Sequence, residues 1–489
     1  MGPSGFLVAT LLALLAVQFV KLLWARRRFP PGPLPFPLIG SLWRVGWKIR
    51  QDTLIKLASS YGDVFTLWIG HVPLVVLTGF KTVKEGLSND YGILSGRPVL
   101  PFFKVLGNKK GIIFSNGNTW KQQRHFGQST MLTLVQMKNG LEHQIGKEAQ
   151  LLVETFAQEK GRPLDPSRPT MRSAARVICD VVFGHSLPVE DEALHKLTEH
   201  LDVIAKFKGT AGEMFYNLLP SVMQLIPGPH KKALSSCEFV RSFIREEMEK
   251  HKKNGVPHSP QNFTDFYLAQ INREKMDSTT TFNEDNLVQV IADLFMAGTG
   301  TLAATLSWAL LLMVAHPDIQ EKVHKEIAST LDSPTLISYD DRKKLPYTRA
   351  VIHEIQRFST VALFGLPRLS IQDLNLFGHF IPKDTLVLPD LCSVLLDPKQ
   401  WETPQQFNPS HFLDKDGKYM ARDEFFAFGA GCRACLGRQL AQSELFVMFT
   451  SLVKAFTFQS PEGGKGKAVH PVIGSVARPG PFKICAVPR

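Results

Sequence analysis

The sequence is poor in cysteine and has no long run of one charge sign. Its 489 residues include six cysteines at no regular spacing, which argues against a disulfide scaffold and for a reducing compartment. It has no internal repeat, no low-complexity tract and no basic run longer than Arg26–Arg28. The net charge of +12 is therefore dispersed. Basic charge suggests nucleic acid, an anionic membrane surface or an acidic protein as partner, and dispersal makes nucleic acid the weakest of the three.

The composition is that of a folded protein. Hydrophobic residues make up 44% of the chain and charged residues 20%, which is typical of a globular protein rather than a disordered one. The length allows either one large fold or two to three domains around a sizeable core.

The segment Phe6–Leu23, FLVATLLALLAVQFVKLL, predicts a membrane anchor. Its length approaches the roughly 20 residues that a bilayer span needs, and only Gln18 and Lys21 are strongly polar. Arg26–Arg28 follows directly and no basic residue precedes, so the positive-inside rule places the body of the protein in the cytosol. The alternative is a cleaved signal peptide, but the basic start and small-residue cleavage site of such a peptide are not evident.

A proline-rich segment follows the anchor. Phe29–Gly40 reads FPPGPLPFPLIG and contains five prolines. Proline fixes φ and removes a hydrogen-bond donor, so the segment should be a stiff, extended connector. The sequence therefore predicts an anchor at residues 1–25, a basic and proline-rich hinge at 26–40, and a body at 41–489.

The body is predicted to be mainly α with small β-sheets (α+β). Residues 61–80 are β-branched and aromatic with glycine-containing breaks, which favours a hairpin or small sheet. Residues 118–330 have a mostly helical pattern, and Pro367–Leu388 is strand-like and predicts a second small sheet.

One helix in the body stands out by its length. We expect it to begin at the capping box formed by Thr281 and Glu284 and to run to Ala315. Gly298 and Gly300 lie in its interior, where each costs about 1 kcal/mol relative to alanine. They serve either helix–helix packing or the close approach of a flat or bulky group.

Two cysteines lie three residues apart in FGAGCRACLG, Phe428–Gly437. A zinc site is disfavoured because no second CxxC exists. A redox pair before a helix, or a turn with inert thiols, remains open. The fourth interpretation is a thiolate metal ligand at Cys435, near a helix start that stabilises an anion. The nearby Gly431 and Gly437 would let the backbone approach a flat cofactor, and Arg433 could meet a carboxylate.

This segment resembles the haem-binding loop F-x-x-G-x-R-x-C-x-G of the cytochrome P-450 superfamily. The matching positions are Phe428, Gly431, Arg433, Cys435 and Gly437. Other matches follow in the family's order: Trp120-x-x-x-Arg124, Ala297-Gly298 of the oxygen-binding helix, Glu354-x-x-Arg357, and the segment from Phe407 to Phe412. Anchor, hinge and SGRP (Ser95–Pro98) are similar to the microsomal class and its family 2, and the ending KICAVPR is similar to the subfamily of fatty-acid epoxygenases.

The resemblance implies a cytochrome P-450 fold with haem b as cofactor and Cys435 as the axial thiolate. It places the other cofactor-binding side chains at Arg97, Trp120, Arg124, Arg368, Phe428, Arg433 and Gly437. Arg368 stands where family 2 usually has histidine. Glu354, Arg357 and His411 would form a buried structural network.

Thr301 matches the family's threonine that assists proton delivery. The chain departs from the family pattern beside it, because Gly300 replaces an acid and Leu302 replaces a second threonine. Asp293, eight residues upstream, is a conjectural substitute. The departure puts in question the coupling efficiency, that is, the share of electrons that ends in oxygenated product. It does not put haem binding in question.

The implied reaction is monooxygenation of a lipophilic fatty acid, steroid or xenobiotic with O2. Electrons would come from NADPH through NADPH–cytochrome P-450 reductase, with cytochrome b5 as a further donor. The protein would be a single-pass protein of the endoplasmic reticulum membrane, and nucleic acid is not an expected partner. The predicted substrate pocket consists of Phe102, Phe295, Ala297, Val361, Leu366 and Val476, which are apolar.

Three other functions remain. A haem-thiolate isomerase or peroxygenase acting on lipid hydroperoxides needs no reductase, and Gly300 fits chemistry without a proton relay. A non-catalytic haem-binding protein is a second alternative, against which the retained Thr301 argues. A redox protein using Cys432 and Cys435 is the third, and it would require Cys432.

Overall fold

A computed structural model gives the fold and describes residues 2–46, 49–88, 92–137, 141–188, 190–253, 259–331, 336–461 and 471–489. These residues form the following helices: α1 Pro3–Arg26, α2 Leu42–Val45, α3 Gln51–Tyr61, α4 Phe80–Leu87, α5 Pro101–Gly107, α6 Gly117–Gln136, α7 Leu141–Gln158, α8 Ser167–Phe183, α9 Glu192–Phe207, α10 Ala211–Leu218, α11 Pro220–Leu225, α12 Pro229–Lys253, α13 Phe263–Arg273, α14 Glu284–Ala315, α15 Pro317–Thr330, α16 Pro346–Ser359, α17 Leu391–Leu395 and α18 Arg438–Ala455. Short 3₁₀ helices lie at Ile93–Ser95, Tyr339–Lys343 and Pro409–Phe412.

The strands are short. They are β1 Val64–Ile69, β2 Val72–Leu77, β3 Arg368–Leu369, β4 Leu374–Leu376, β5 His379–Ile381, β6 Leu386–Pro389, β7 Phe456–Gln459, β8 Pro471–Ile473, β9 Ala477–Pro479 and β10 Cys485–Pro488. The fold is thus mainly helical with small sheets, as the sequence predicted.

The chain divides into two compact units. The sheet unit comprises Met1–Pro98, Leu363–Trp401 and Glu424–Ala434. The helical unit comprises Val99–Ala362, Glu402–Asp423 and Cys435–Arg489. The chain passes from the first to the second within the FGAGCRACLG loop, between Ala434 and Cys435.

The sheet unit is built on four strands in the order β1-β2-β6-β3. The hairpin β1–β2 is antiparallel, and β6 pairs in parallel with β2, with Leu74 opposite Leu386. The expected second sheet is therefore only partly separate, because β3 and β6 join the first sheet and only β4–β5 forms its own hairpin. β2 and β6 are some 300 residues apart in the chain, and pairing over such a distance leaves no local signal in the sequence. The sequence pattern could therefore predict the strands but not the sheet to which β6 belongs.

The helical unit is organised around α14. This helix is mostly buried and apolar on nearly all sides, which is typical of a core helix. Its amino-terminal cap is Asn283, whose side chain accepts a hydrogen bond from the Asn286 N–H at 2.9 Å. The predicted capping box is therefore wrong, because the hydroxyl of Thr281 instead donates to Gln122 at 2.7 Å. The predicted end at Ala315 is correct.

Two described helices are long and apolar enough to cross a membrane, α1 and α14. α14 is largely buried in the helical unit, whereas α1 is almost entirely exposed. The proline segment after α1 lies against β1. The Thr66 N–H donates to the Pro31 carbonyl at 2.8 Å, and a Cβ on Gly32 would collide with the Thr66 carbonyl. The segment is therefore docked by backbone contacts within the sheet unit.

A buried carboxyl in the sheet unit predicts a pH-dependent stability. Asp390 caps α17 by accepting from the Ser393 N–H and is also bound by Gln51 Nε2 at 3.1 Å. Burial raises its pKa to about 7, although these hydrogen bonds oppose the rise. The folded state thus holds a proton that the unfolded state releases, and stability falls as pH rises from about 4 to about 7. Above that range the full cost of the buried charge is present.

We expect Asp390→Asn to stabilise the protein at pH 8 by on the order of 2 kcal/mol. Asparagine keeps the oxygen that caps α17, and its amide can donate to Gln51 Oε1 once the Gln51 amide turns over, since Gln51 Nε2 now faces the Asp390 carboxylate. The gain should be several-fold smaller near pH 4.5, where the folded state keeps the proton and little of the cost has developed. Denaturant unfolding of both proteins at the two pH values measures it, and an equal difference at both would contradict the assignment.

Candidate active site

Three buried arginines gather in the sheet unit. Arg97 Nη1 donates to the carbonyls of Leu366 and Pro367 at 2.9 and 3.0 Å. Arg433 Nε donates to the Ser95 carbonyl at 2.8 Å, and Arg368 Nη2 lies 3.5 Å from the Arg433 carbonyl. These backbone anchors fix the orientation of the guanidinium groups. Concentrated, oriented arginines are suited to binding carboxylates.

The loop that carries Arg433 requires glycine at position 431. Gly431 has φ +72°, and a Cβ there would collide with the Leu87 carbonyl. Its carbonyl closes a turn by accepting from the Ala434 N–H at 3.0 Å. Phe428, two residues after the buried Phe426, meets Phe425 edge to face. This loop is therefore held close to the polypeptide around Leu87 by its backbone.

Cys435 lies in the helical unit, three residues before the first residue of α18. Its side chain is accessible from a cavity of about 200 Å³ that Arg124, Met131, Leu436 and Arg438 help to line. Desolvation by the surrounding protein raises the pKa of the thiol, while the Gly437 N–H and the guanidinium groups of Arg124 and Arg438 oppose the rise. Burial therefore favours the neutral thiol on balance, and these three neighbours reduce the cost of forming the thiolate.

Gly437 and Trp120 differ in what surrounds them. Gly437 is the amino-terminal cap of α18, and a Cβ there would meet no described atom within 4 Å. Protein packing therefore gives no reason for glycine at this position. Trp120 is buried on α6, one turn before Arg124.

The two glycines of α14 have different surroundings. A Cβ on Gly298 would lie 2.5 Å from Cδ1 of Ile178 on α8, so this glycine permits helix–helix packing. A Cβ on Gly300 would meet nothing within 4 Å. Ala297 is exposed on the same stretch, and Thr301 Oγ1 donates to its carbonyl at 2.6 Å. α14 thus presents an open face at Ala297, Gly300 and Thr301.

Asp293 is engaged elsewhere. Its Oδ2 accepts from the backbone N–H groups of Ile112 and Ile113 at 2.7 and 2.9 Å, and its Oδ1 accepts from Gln289 at 3.0 Å. These bonds fix the loop after α5 to α14. A carboxylate held by three donors is a structural anchor, and the conjecture that Asp293 replaces the missing acid finds no support in its contacts.

Glu354, Arg357 and His411 come together in the helical unit, all almost fully buried. The guanidinium of Arg357 donates to both oxygens of Glu354 at 2.7 Å, and His411 Nδ1 lies 3.2 Å from Glu354. Sequence reasoning missed the backbone part of this network. Arg357 also donates to the carbonyls of Pro404 and Gln406, each at 3.0 Å, and no side-chain pattern signals such acceptors.

The predicted substrate residues fall into both units. Phe102 and Phe295 are fully buried in the helical unit, where Phe102 meets Phe207 edge to face at 5.0 Å. Val361 and Val476 are neighbours, because the Ala477 N–H donates to the Val361 carbonyl at 2.8 Å. Leu366 lies in the sheet unit and contributes its carbonyl to Arg97.

Comparison with known proteins decides the family. The cytochrome P450 family model matches residues 30–486. Human cytochrome P450 2J2 is 36% identical over 490 residues, covering 100% of this chain and 96% of the human protein. Rat cytochrome P450 2C23 is 37% identical over 481 residues, covering 98% and 97%, and mouse cytochrome P450 2C44 is 37% identical over 487 residues, covering 98% and 99%.

The chain is a cytochrome P450. Its cofactor is haem b, and it is a haem-thiolate monooxygenase that uses O2, a redox partner and a small-molecule substrate. The residues of this P450 fit the cofactor. An accessible cysteine beside stabilising cations suits an iron ligand, and buried arginines anchored by carbonyls suit the two propionates of haem.

Proposed function

We propose that this P450 inserts one oxygen atom of O2 into a lipophilic fatty acid, steroid or xenobiotic. Electrons would come from NADPH through NADPH–cytochrome P450 reductase, with cytochrome b5 as a further donor. The observation that carries the proposal is Cys435, whose side chain is exposed just before α18, beside a cavity that Arg124 and Arg438 help to line.

The other predicted cofactor-binding residues are assigned to holding the haem. Haem supplies the activation of O2 and the oxidation of the substrate when it is bound. Arg97, Arg368 and Arg433, together with Trp120 and Arg124, would bind the propionates, and Phe428 and Gly437 would lie against the cofactor. These groups hold the cofactor in one orientation and take no part in bond making.

Thr301 is the proposed proton-delivery residue. Its hydroxyl donates to the Ala297 carbonyl at 2.6 Å, which fixes the oxygen in one position and leaves its lone pairs available to accept a proton. Rotation of the hydroxyl would pass a proton to a group at the open face of α14. The apolar side chains Phe102, Phe295, Ala297, Val361, Leu366 and Val476 would exclude water and bind the substrate.

We further propose that α1 anchors the protein in the endoplasmic reticulum membrane as a single span, with the body in the cytosol. The exposed apolar surface of α1 and the arginines that follow it support this topology. The docked proline segment, Phe29–Gly40, would act as a strap. The domain organisation that follows is an anchor at 1–25, a hinge at 26–40 and the haem-thiolate monooxygenase domain at 41–489.

Dependence on the reductase tests the reaction type. We expect substrate-dependent NADPH consumption and oxygenated product only when purified holoprotein is combined with the reductase and laurate, progesterone or 7-ethoxycoumarin. Products formed from a lipid hydroperoxide without reductase, and none with it, would instead establish an isomerase or peroxygenase. Haem binding without turnover in either assay would establish a non-catalytic haem protein.

A further inference from the structure

The β8–β9 hairpin is tied to two other segments of the helical unit through one of its residues. The Ala477 N–H donates to the Val361 carbonyl at 2.8 Å, and the Ala477 carbonyl accepts from Trp308 Nε1 at 3.1 Å. Trp308 is buried on α14, seven residues after Thr301 and therefore about two turns further along the same side of that helix. These bonds fix the start of β9, and with it the adjacent Val476, relative to α14.

The turn of the same hairpin lies against the end of α9. The Ser475 N–H donates to the Ala205 carbonyl at 3.1 Å. A Cβ on Gly474 would lie 2.8 Å from that carbonyl oxygen, and a Cβ on Gly209 would lie 3.1 Å from the Gly474 carbonyl oxygen. The two glycines therefore let the backbones approach closely, and the hydrogen bond of Ser475 joins the turn to the helix.

An ion pair beside this contact joins β9 to α9. Arg478 Nη1 lies 2.5 Å from Asp202 Oδ1, and the two side chains are only 21% and 26% exposed. Asp202 precedes Ala205 by three residues, so the ion pair and the turn contact the same side of α9. The other oxygen of Asp202, Oδ2, pairs with Lys206 Nζ at 2.5 Å, but Lys206 is 63% exposed and belongs to α9 itself. Arg478 thus connects Asp202 with another element, whereas Lys206 does not.

We propose that Arg478 is a positioning residue, which fixes Val476 in the proposed substrate pocket by pairing with Asp202. The bonds of Ala477 hold the residue after Val476, and the ion pair keeps the hairpin with its turn against α9. The inference rests on the proposed function and adds what orients the substrate, because in an apolar pocket the shape of the wall decides which carbon is presented for oxidation. Loss of the pair should therefore change the site of oxidation more than the total amount of product.

Amide hydrogen exchange of the haem-loaded protein tests whether the ion pair holds the turn. The proteins compared are wild type, Arg478→Met, Arg478→Lys and the matched control Lys206→Met, which removes the other cation at Asp202. Arg478→Met should speed exchange at the Ser475 N–H by about threefold or more, because local opening of the turn then breaks fewer interactions. Arg478→Lys should retain most of the protection, and Lys206→Met should match wild type. Unchanged exchange in Arg478→Met, or an equal increase in Lys206→Met, would overturn the proposal.

The products formed with the reductase test the consequence for the substrate. The probes are laurate and progesterone, each of which can be oxidised at several carbons. Arg478→Met and Asp202→Asn should each shift the ratio of product isomers by about threefold or more, and Lys206→Met should keep the wild-type ratio. Faster exchange with an unchanged ratio would overturn the positioning role and leave the proposed function standing. Absence of oxygenated product from wild type with either probe would overturn the proposed function, and the positioning role with it.

Discussion

Arg357→Leu should leave this P450 unable to keep a stable, haem-loaded fold. The guanidinium is fully buried, pairs with both oxygens of Glu354 and holds the carbonyls of Pro404 and Gln406. Its removal leaves the Glu354 carboxylate without its cation in the protein interior. Breaking a buried pair in this way costs about 3–5 kcal/mol.

Loss of Arg357 should also disturb the position of Cys435, because the two are connected by a chain segment that this network holds in place. The same network binds the segment after Pro404, since the Asn408 N–H donates to Glu354 Oε1 at 2.8 Å, and this segment leads on to the loop of Cys435. Urea unfolding and the haem content of purified protein measure the loss. Lys325→Ala, which removes an exposed pair with Glu321 on α15, should cost less than about 1 kcal/mol. Equal stability of the two variants would refute the structural role.

The second large effect concerns coupling, measured as oxygenated product formed per NADPH consumed. Thr301→Ala should divert electrons from product to hydrogen peroxide, with product per NADPH falling about tenfold or more, because it removes the proposed proton-transfer hydroxyl. Haem content should stay unchanged, since the partner of Thr301 Oγ1 among the described residues is the Ala297 carbonyl of its own helix. Peroxide release and product formation are measured together under NADPH turnover.

Gly300→Asp should act in the opposite direction and raise coupling. A Cβ at this position meets nothing within 4 Å, so a side chain can begin here without a clash at its first atom, and aspartate supplies an acid next to Thr301. Gly300→Ala fills the same space without the acid and should leave coupling near wild type. Gly298→Asp is the matched steric control, because its Cβ would lie 2.5 Å from Ile178 Cδ1 and should destabilise the fold. Unchanged coupling in Gly300→Asp would mean that the missing acid does not limit proton supply.

The long helices and the Glu354–Arg357 pair followed from the sequence because their determinants are local. Spacing places Glu354 and Arg357 on one face of α16, and His316–Pro317 ends α14 as predicted. The glycines of α14 show the limit of local reasoning. Both were open to the same two explanations, and only the position of Ile178, more than 100 residues earlier, distinguishes Gly298 from Gly300.

Features that depend on distant backbone could not be predicted. The parallel pairing of β2 with β6 and the carbonyls that receive Arg357 carry no side-chain signal. The capping box failed for a related reason: Thr281 matches the pattern, but Gln122 on α6 takes its hydroxyl and leaves the cap to Asn283.

The thiolate ligand is the central claim, and the difference spectrum of the reduced, carbon-monoxide-bound protein tests it most directly. Wild type and Cys432→Ser should both show the red-shifted Soret band of thiolate-ligated haem, and Cys435→Ser should lose it. Cys432 is the matched control, an exposed cysteine in the same loop that lies in the sheet unit. A band that persists in Cys435→Ser, or one that disappears in Cys432→Ser, would contradict the assignment of Cys435 as the iron ligand.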